Sequence, residues 1–242
     1  MIRVGVLSDI HGNMEALGAV LENIECLGIR RLLILGDLAL MGPEPNETVD
    51  FVRNLSSEFD LDIIQGNTDL FIVNDELPNV PDFAKNSIIY AKKVLSEENK
   101  AYLKLLPQQK SLKIGNTSVL MVHGSPRKND ENIFPAKSVE EIKPMIAGTT
   151  ESLILCGHTH LPAGYQIENQ TVVNVGSVGR PFTENQKACY VVLEIDEEKE
   201  NCFSVEHKFI DFDVKTSAEK LSKLDFEGAE YLAELLLKSS VK

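Results

Sequence analysis

The chain has 242 residues, 43% of them hydrophobic, a composition that excludes general disorder and suits one large domain or two small ones. Lys and Arg total 24 against 37 Asp and Glu, a formal charge of −13, which argues against stable binding to duplex nucleic acid or to an anionic membrane. A small anionic substrate stays open, because bound metal ions reverse the local field inside a cleft. The run Met1–Leu7 reaches Ser8-Asp9 too soon to hold a signal-peptide core, and no apolar stretch approaches the roughly 18 residues of a membrane span. The expected setting is soluble and cytoplasmic. Cys26, Cys156, Cys189 and Cys202 are widely spaced with no Cys-x-x-Cys pair, so they read as reduced, buried thiols.

Taken in chain order, Ile2–Leu7 is a short β-branched run, and Met14–Leu27 carries apolar residues at helical spacing. Leu32–Leu35 is a second apolar run, Glu47–Leu55 a second helix, and Leu61–Ile64 a third run. Strands alternating with helices predict βαβ units and a parallel sheet buried on both faces. From about residue 70 to 109 the pattern changes: Pro78 and Pro81 break the chain, and Phe83–Leu95 and Glu97–Leu106 read as a helical excursion beside the sheet. Ser118–Val122, a helix near Val139–Ile146, and Ser152–Leu155 follow. The runs Ala163–Glu168, Thr171–Val175, Ala188–Ile195 and Cys202–Phe209 succeed one another without helices, which predicts a second, largely antiparallel sheet. Thr216–Leu237 reads as one terminal amphipathic helix. The expectation is a single domain over residues 1–242, an α/β fold of two stacked sheets with helices outside.

Several apolar runs end in polar residues where a strand gives way to a loop. The first ends in Ser8-Asp9-Ile10-His11-Gly12-Asn13, the second in Gly36-Asp37, and the third in Gly66-Asn67-Thr68-Asp69. Val119–Val122 ends in His123-Gly124, and Ser152–Cys156 in Gly157-His158-Thr159-His160. In open α/β sheets, ligands bind in the crevice outside the carboxyl ends of the strands. Of the 5 histidines, all but His207 lie in these loops. His207 alternates with Phe203, Val205 and Phe209 and reads as a strand residue.

Each block alone has an ordinary explanation. Asp9 and Asp69 suit helix N-caps, and Gly36-Asp37 and Gly66-Asn67 suit turns. His158-x-His160 aims both rings at one place only where the chain bends. The joint occurrence points instead to metal binding. Imidazole and carboxylate without thiolate suit borderline divalent ions rather than a closed structural zinc site. Seven ligand residues are too many for one ion that keeps an open position, and two ions about 3.5–4 Å apart accommodate them better.

These blocks resemble the calcineurin-like metallophosphoesterases, whose pattern is Asp-x-His, Gly-Asp, Gly-Asn-(His)-Asp, a later His-Gly, and Gly-His-x-His, in that order. The match runs from Asp9 to His160, and Gly176-Ser177-Val178-Gly179-Arg180-Pro181 is similar to the small bacterial and archaeal phosphodiesterase branch. The resemblance implies a four-layer α-β-β-α sandwich of two mixed sheets. It also implies one ion on Asp9, His11, Asp37 and His160 and another on Asp37, Asn67, His123 and His158, with Asp37 shared. Manganese is the first expectation, with Fe, Ni, Co, Zn or Mg as alternatives. The implied reaction is hydrolysis of a small phosphate ester, a diester before a monoester, by in-line attack of a metal-bridging hydroxide.

One departure stands out: where the family often has His after the Asn of the third block, this chain has Thr68, which cannot serve as a general acid near neutral pH. Asp69, which would otherwise orient that His, is left to cap a helix. Asn67, Thr68 and Arg127 are the candidate substrate contacts. Lys128 and Arg180 are similarly placed, and the plainer reading of these cations is solvated surface charge. A phosphomonoesterase, or an interaction scaffold like the family-related subunit of the retromer complex, are the competing readings. A subunit contact through the excursion or the terminal helix, making a homo-oligomer, is a weaker expectation.

Overall fold

A computed structural model describes residues 1–75 and 77–239. Its first sheet is built from β1 (Ile2–Leu7), β2 (Arg31–Ile34) and β3 (Asp60–Ile63), with α1 (Met14–Cys26) and α2 (Pro45–Asn54) as the crossovers. β1, β2 and β3 are parallel, as the alternation of runs predicts. Side chains alternate across the pleat, so each strand serves two cores. Val4, Val6, Leu33 and Leu35 face the second sheet, whereas Leu7, Leu32 and Ile34 pack with Leu17, Val20 and Ile24 of α1. Burial on both faces explains why these runs are continuously apolar.

The helical excursion holds α3 (Asn67–Val73), α4 (Asp82–Val94) and α5 (Glu97–Leu105). It leads into β4 (Gln109–Ile114), a strand too polar to stand out in the sequence, exposed along most of its length at a sheet edge. Edge strands tolerate such polarity because only one side of the ladder is paired. β4 pairs with β5 (Thr117–Val122), and β6 (Leu153–Cys156), β7 (Ala163–Ile167) and β8 (Gln170–Asn174) complete a sheet of order β4-β5-β6-β8-β7. A short α6 (Val139–Ile142), continued by a 3-10 turn through Met145, covers its outer face.

The four later runs do not form one sheet. β7 and β8 join β5 and β6, whereas β9 (Ala188–Ile195) and β10 (Phe203–Ile210) return to the first sheet, where β9 lies antiparallel to β1. Alternation along a strand reports which residues are buried but not which neighbour buries them, so the sequence could not divide them. The result is two mixed sheets, β10-β9-β1-β2-β3 and β4-β5-β6-β8-β7, face to face with helices outside. This is the four-layer α/β sandwich that the resemblance implied. The acidic run Asp196–Glu200 forms the β9–β10 turn, and His207 sits on β10 with Nε2 bonded to the Asn174 carbonyl at 2.8 Å.

The terminal segment is two helices, α7 (Val214–Ser222) and α8 (Ala229–Lys238). Leu221, Leu232, Ala233 and Leu236 form a small core between them. The break falls at Gly228, whose φ of +102 is the left-handed backbone that only glycine adopts freely. A Cβ there would lie 2.7 Å from Phe83 Cβ, so the position also lets the helix pair approach α4. Cys156 and Cys189 are buried as expected, but Cys26, at the end of α1, and Cys202, at the β9–β10 turn, are exposed. Among the described residues no helix is long and apolar enough to cross a membrane.

Candidate metal centre

The carboxyl ends of β1, β2, β3, β5 and β6 open onto one rim, and each delivers polar side chains to it. The β1–β2 ladder does not stop where the strands do. Leu35 N–H donates to Leu7 O (2.8 Å), Asp9 N–H to Gly36 O (3.1 Å) and His11 N–H to Asp37 O (2.9 Å). These bonds hold Asp9, His11 and Asp37 at φ values of 55, 50 and 56, and His158 and His160 lie at 68 and 59. A left-handed non-glycine residue costs about 1–3 kcal/mol and persists only where its surroundings over-determine it. The bend that His158-x-His160 requires is therefore real, and strain concentrates on five of the seven candidate ligands.

Glycine makes the close approach of loops possible. A Cβ on Gly157 would lie 2.0 Å from Ser8 Oγ and 2.5 Å from Asp9 Oδ2, and a Cβ on Gly66 only 2.1 Å from Asp37 Oδ1. Both aspartates are buried and use one carboxylate oxygen structurally. Asp9 Oδ2 accepts the His158 N–H at 2.9 Å, and Asp37 Oδ1 accepts the Thr68 N–H at 2.9 Å. The other oxygens face the cluster. Among the described residues Asp9 Oδ1 has no hydrogen-bond donor although buried, and Asp37 Oδ2 lies 3.3 Å from His123 Nε2 and 3.8 Å from His11 Nε2.

The rings are turned the same way. Nδ1 of His11, His123 and His160 donates to the carbonyls of Leu40 (2.7 Å), Leu35 (2.7 Å) and Arg180 (2.6 Å). A carbonyl only accepts, so each Nδ1 carries the proton and each Nε2 is free to bind a cation. The consequence is a contact of two acceptors: His11 Nε2 and His160 Nε2 are 3.1 Å apart. His123 Nε2 is likewise 3.0 Å from Asn67 Oδ1. Lone pairs at such distances repel unless a proton or a metal ion lies among them. Two sets of side chains can each hold one ion, Asp9 with His11 and His160, and Asp37 with His123 and His158. The donor set and its unmatched lone pairs fit divalent cations.

Without ions, protons share the charge. Burial works against a charged His123, but Asp37 and Asp9 together outweigh it and push its pKa up to about 10. Burial also works against ionised Asp37 and Asp9, yet His123 holds Asp37 at about 2, and His160 and His123 hold Asp9 well below the usual carboxylate range. His158 and His160 are shifted down, chiefly by burial.

Asp69 does more than cap a helix. Its carboxylate accepts the N–H groups of Gly66 (2.9 Å), Asp37 (2.8 Å) and Leu38 (2.9 Å), tying the start of α3 to the loop that carries Asp37. Burial and the Asp37 charge push its pKa up to about 6. Asp69→Ala would strand these buried amides, and at roughly 1–3 kcal/mol for each of the three unmet groups the fold should lose about 3–9 kcal/mol. In a chain of this size that corresponds to a melting point lower by about 6–36 °C. Thermal melts in chelator check it; an unchanged melting point would show that Asp69 bears no such load.

The rim opens into a cavity of about 440 Å³ lined by His11, Asp37, Asn67, Thr68, His158 and His160, with Phe71, Phe83, Phe182 and Leu235 on its apolar walls. The excursion and α8 thus supply much of the apolar lining. Arg127 is not brought there. It is exposed, and its guanidinium forks onto Glu131 (2.7 and 2.6 Å), four residues on, while Lys128 pairs with Asp130 at 3.0 Å. Arg180, by contrast, lines the cavity and is only 7% exposed, against the plainer reading of a surface charge. Burial lowers its pKa to about 10, which leaves it charged at neutral pH. Its place in a Gly-Ser-Val-Gly stretch directly after a strand of the second sheet was the only signal of this in the sequence.

Residues 2–198 match the calcineurin-like phosphoesterase superfamily domain. The uncharacterized protein MJ0912 of Methanocaldococcus jannaschii is 30% identical over 238 residues, covering 91% of this chain and 92% of that protein. The crystal structure of hypothetical protein PH1004 from Pyrococcus horikoshii superposes with a TM-score of 0.87 at 27% identity, covering 98% of both chains. That of a metallophosphoesterase from Sphaerobacter thermophilus shares the fold, with a TM-score of 0.79 at 23% identity, covering 98% of this chain and 99% of that one. With two largely buried sets of candidate metal-ligand side chains at the rim where its parallel strands end, the chain belongs to the calcineurin-like phosphoesterase superfamily, a family of metal-dependent hydrolases of phosphate esters.

Proposed function

We propose that the protein is a dinuclear phosphodiesterase acting on small phosphate esters. One ion is held by Asp9, His11, Asp37 and His160, the other by Asp37, Asn67, His123 and His158. The observation that carries the reading is the convergence of buried ligand atoms: one oxygen each of Asp9 and Asp37 and the Nε2 atoms of His11, His123 and His160 meet, while their other polar atoms are tied to the backbone. The sharing of Asp37 follows the family pattern and is supported by its free oxygen, 3.3 Å from His123 Nε2 and 3.8 Å from His11 Nε2; Asp9 Oδ1 also lies near both sets, 3.2 Å from His160 Nε2 and 3.9 Å from His123 Nε2. Manganese is the first expectation, with Fe, Ni, Co, Zn and Mg as alternatives, since such N/O sites select among these ions by availability and geometry rather than by raw affinity.

Divalent ions held by these residues would supply Lewis-acid chemistry, lowering the pKa of a bound water toward neutrality and drawing charge from the phosphoryl oxygens. The protein's own part is to hold the carboxylates and rings rigid, so that no reorganisation is needed as charge develops. Against the charge of two such ions stand only Asp9 and Asp37, which leaves room for a hydroxide and a singly charged diester. The apolar walls near the rim offer surface to the two organic arms of a diester, more than a bare phosphoryl group requires.

The test is hydrolysis of bis(p-nitrophenyl) phosphate by purified protein with added manganese, beside chelator-treated protein. Metal-stimulated turnover is expected, and none in the presence of bound metal would contradict the enzyme reading. Metal uptake should also depend on pH. His123 in the ion-free protein is protonated below about pH 10, so an ion must displace that proton, and apparent affinity should rise about tenfold per pH unit, or roughly 100-fold from pH 6 to pH 8. Manganese titrations at the two pH values check this. Equal affinities would show that His123 is not displaced.

A further inference from the structure

The cavity beside the proposed ion sites contains two polar groups that the protein leaves without acceptors. The first is Arg180. Its main chain is fixed: its N–H donates to Ser177 Oγ at 2.9 Å, Ser177 Oγ–H donates to the Asp9 carbonyl at 2.8 Å, and the Arg180 carbonyl accepts from His160 Nδ1. Its guanidinium lies over the Phe182 ring at 5.8 Å, and that ring stacks on His160 at 4.4 Å. Among the described residues the one polar contact of the guanidinium is Nη1 to the Met41 thioether at 2.9 Å, a weak acceptor, and it has no ion pair with a carboxylate although Arg180 is more than nine-tenths buried. The second group is the Thr68 hydroxyl, whose Oγ1 is buried and has no hydrogen-bond partner among the described residues.

Both groups line the same cavity as His11, Asn67 and His158. A buried cation and a buried hydroxyl are costly unless something accepts their hydrogen bonds. The candidate ligands cannot do so once their lone pairs face ions. A ligand entering the cavity can supply that acceptor, and a guanidinium fork matches adjacent oxygens of a tetrahedral oxyanion.

We propose that Arg180 and Thr68 form an anion subsite that grips the non-ester oxygens of the substrate phosphate, beside the two ions. The inference rests on the phosphoesterase reading and assigns it a substrate clamp other than Arg127. Arg180 supplies fixed charge and two-pronged donation, and Thr68 a single neutral donor. Neither yields a proton near neutral pH, so the subsite orients the phosphate without protonating the leaving group.

Inorganic phosphate is the probe, titrated calorimetrically into manganese-loaded protein whose metal content is measured on the same samples. Arg180→Met should weaken phosphate binding about 10- to 100-fold, since a lost charge-assisted hydrogen bond has effects of that order, while keeping the wild-type metal content. Arg180→Lys should recover part of the loss, as a charge without the fork. Thr68→Val should weaken binding about threefold to tenfold, the range of a neutral hydrogen bond. Wild-type phosphate affinity in Arg180→Met and Thr68→Val at intact metal content would overturn the subsite. Should Arg180→Met lose its ions, Arg180→Lys and Thr68→Val decide, and wild-type affinity in both overturns the subsite as well. Failure of the unmodified protein to take up metal is a separate result that removes the phosphoesterase reading and this subsite with it.

Discussion

Asp37→Ala should strip the protein of both ions and lower turnover about 10³- to 10⁴-fold, the rate equivalent of the several kcal/mol that bound metals contribute to phosphoryl transfer. The expectation is this large because the proposed assignment makes Asp37 a ligand of both ions, and its free oxygen lies 3.3 Å from His123 Nε2 and 3.8 Å from His11 Nε2. Removing a ligand that belongs to one ion would spare the other, whereas removing a shared ligand should not. The substitution also leaves the Thr68 N–H without its acceptor, so the start of α3 should loosen. Elemental analysis and turnover on the same sample, with circular dichroism to verify the fold, provide the check. Wild-type turnover, or the loss of one ion only, would show that Asp37 does not bridge.

The second large effect concerns the leaving group. With Thr68 where the family often has His, the imidazole that would protonate a departing alkoxide is missing. Outside the proposed ligand set, the charged residues lining the cavity among the described residues are Arg180, charged at neutral pH, and Asp130, which pairs with Lys128 at 3.0 Å. General-acid help is worth about 10²- to 10⁴-fold, and most for poor leaving groups. Turnover should therefore fall steeply as the leaving alcohol becomes less acidic. Thr68→His should raise rates on alkyl diesters by about 100-fold while changing nitrophenyl diesters only a few-fold. A series of aryl and alkyl esters measured on both proteins checks this, and equal gains across the series would show that leaving-group protonation is not what is missing.

Much of the site is legible in the sequence for a topological reason. Parallel strands present their carboxyl ends at one rim, so Asp9, Asp37, Asn67, His123 and His158 had to meet if the runs before them were parallel strands, and they are. What one residue needs from another element was not legible. The left-handed backbone at Asp9, His11 and Asp37 is imposed by bonds to a neighbouring loop and has no local signal. The bracing of Asp37 by Asp69 spans 32 residues, and the carbonyls that orient the rings belong to Leu35, Leu40 and Arg180, whose side chains say nothing of it.

Two further failures share this origin. Alternation marked β9 and β10 as strands but could not tell which sheet receives them. The apolar periodicity across Leu224 and Phe226 hid the break between α7 and α8, because both residues pack into the core of the helix pair. Arg127 and Arg180 were indistinguishable by type. Glu131, one turn away, claims the first, whereas the second is drawn inward by main-chain bonds to Ser177 and His160.

Crystals of the protein soaked in manganese, with anomalous scattering recorded near the manganese edge, test the central claim most directly. Two peaks should lie within ligand distance of Asp37 Oδ2, one beside His11 and His160 and the other beside Asn67, His123 and His158. A single peak, no peak, or two peaks of which one does not touch Asp37 would contradict the shared two-ion centre.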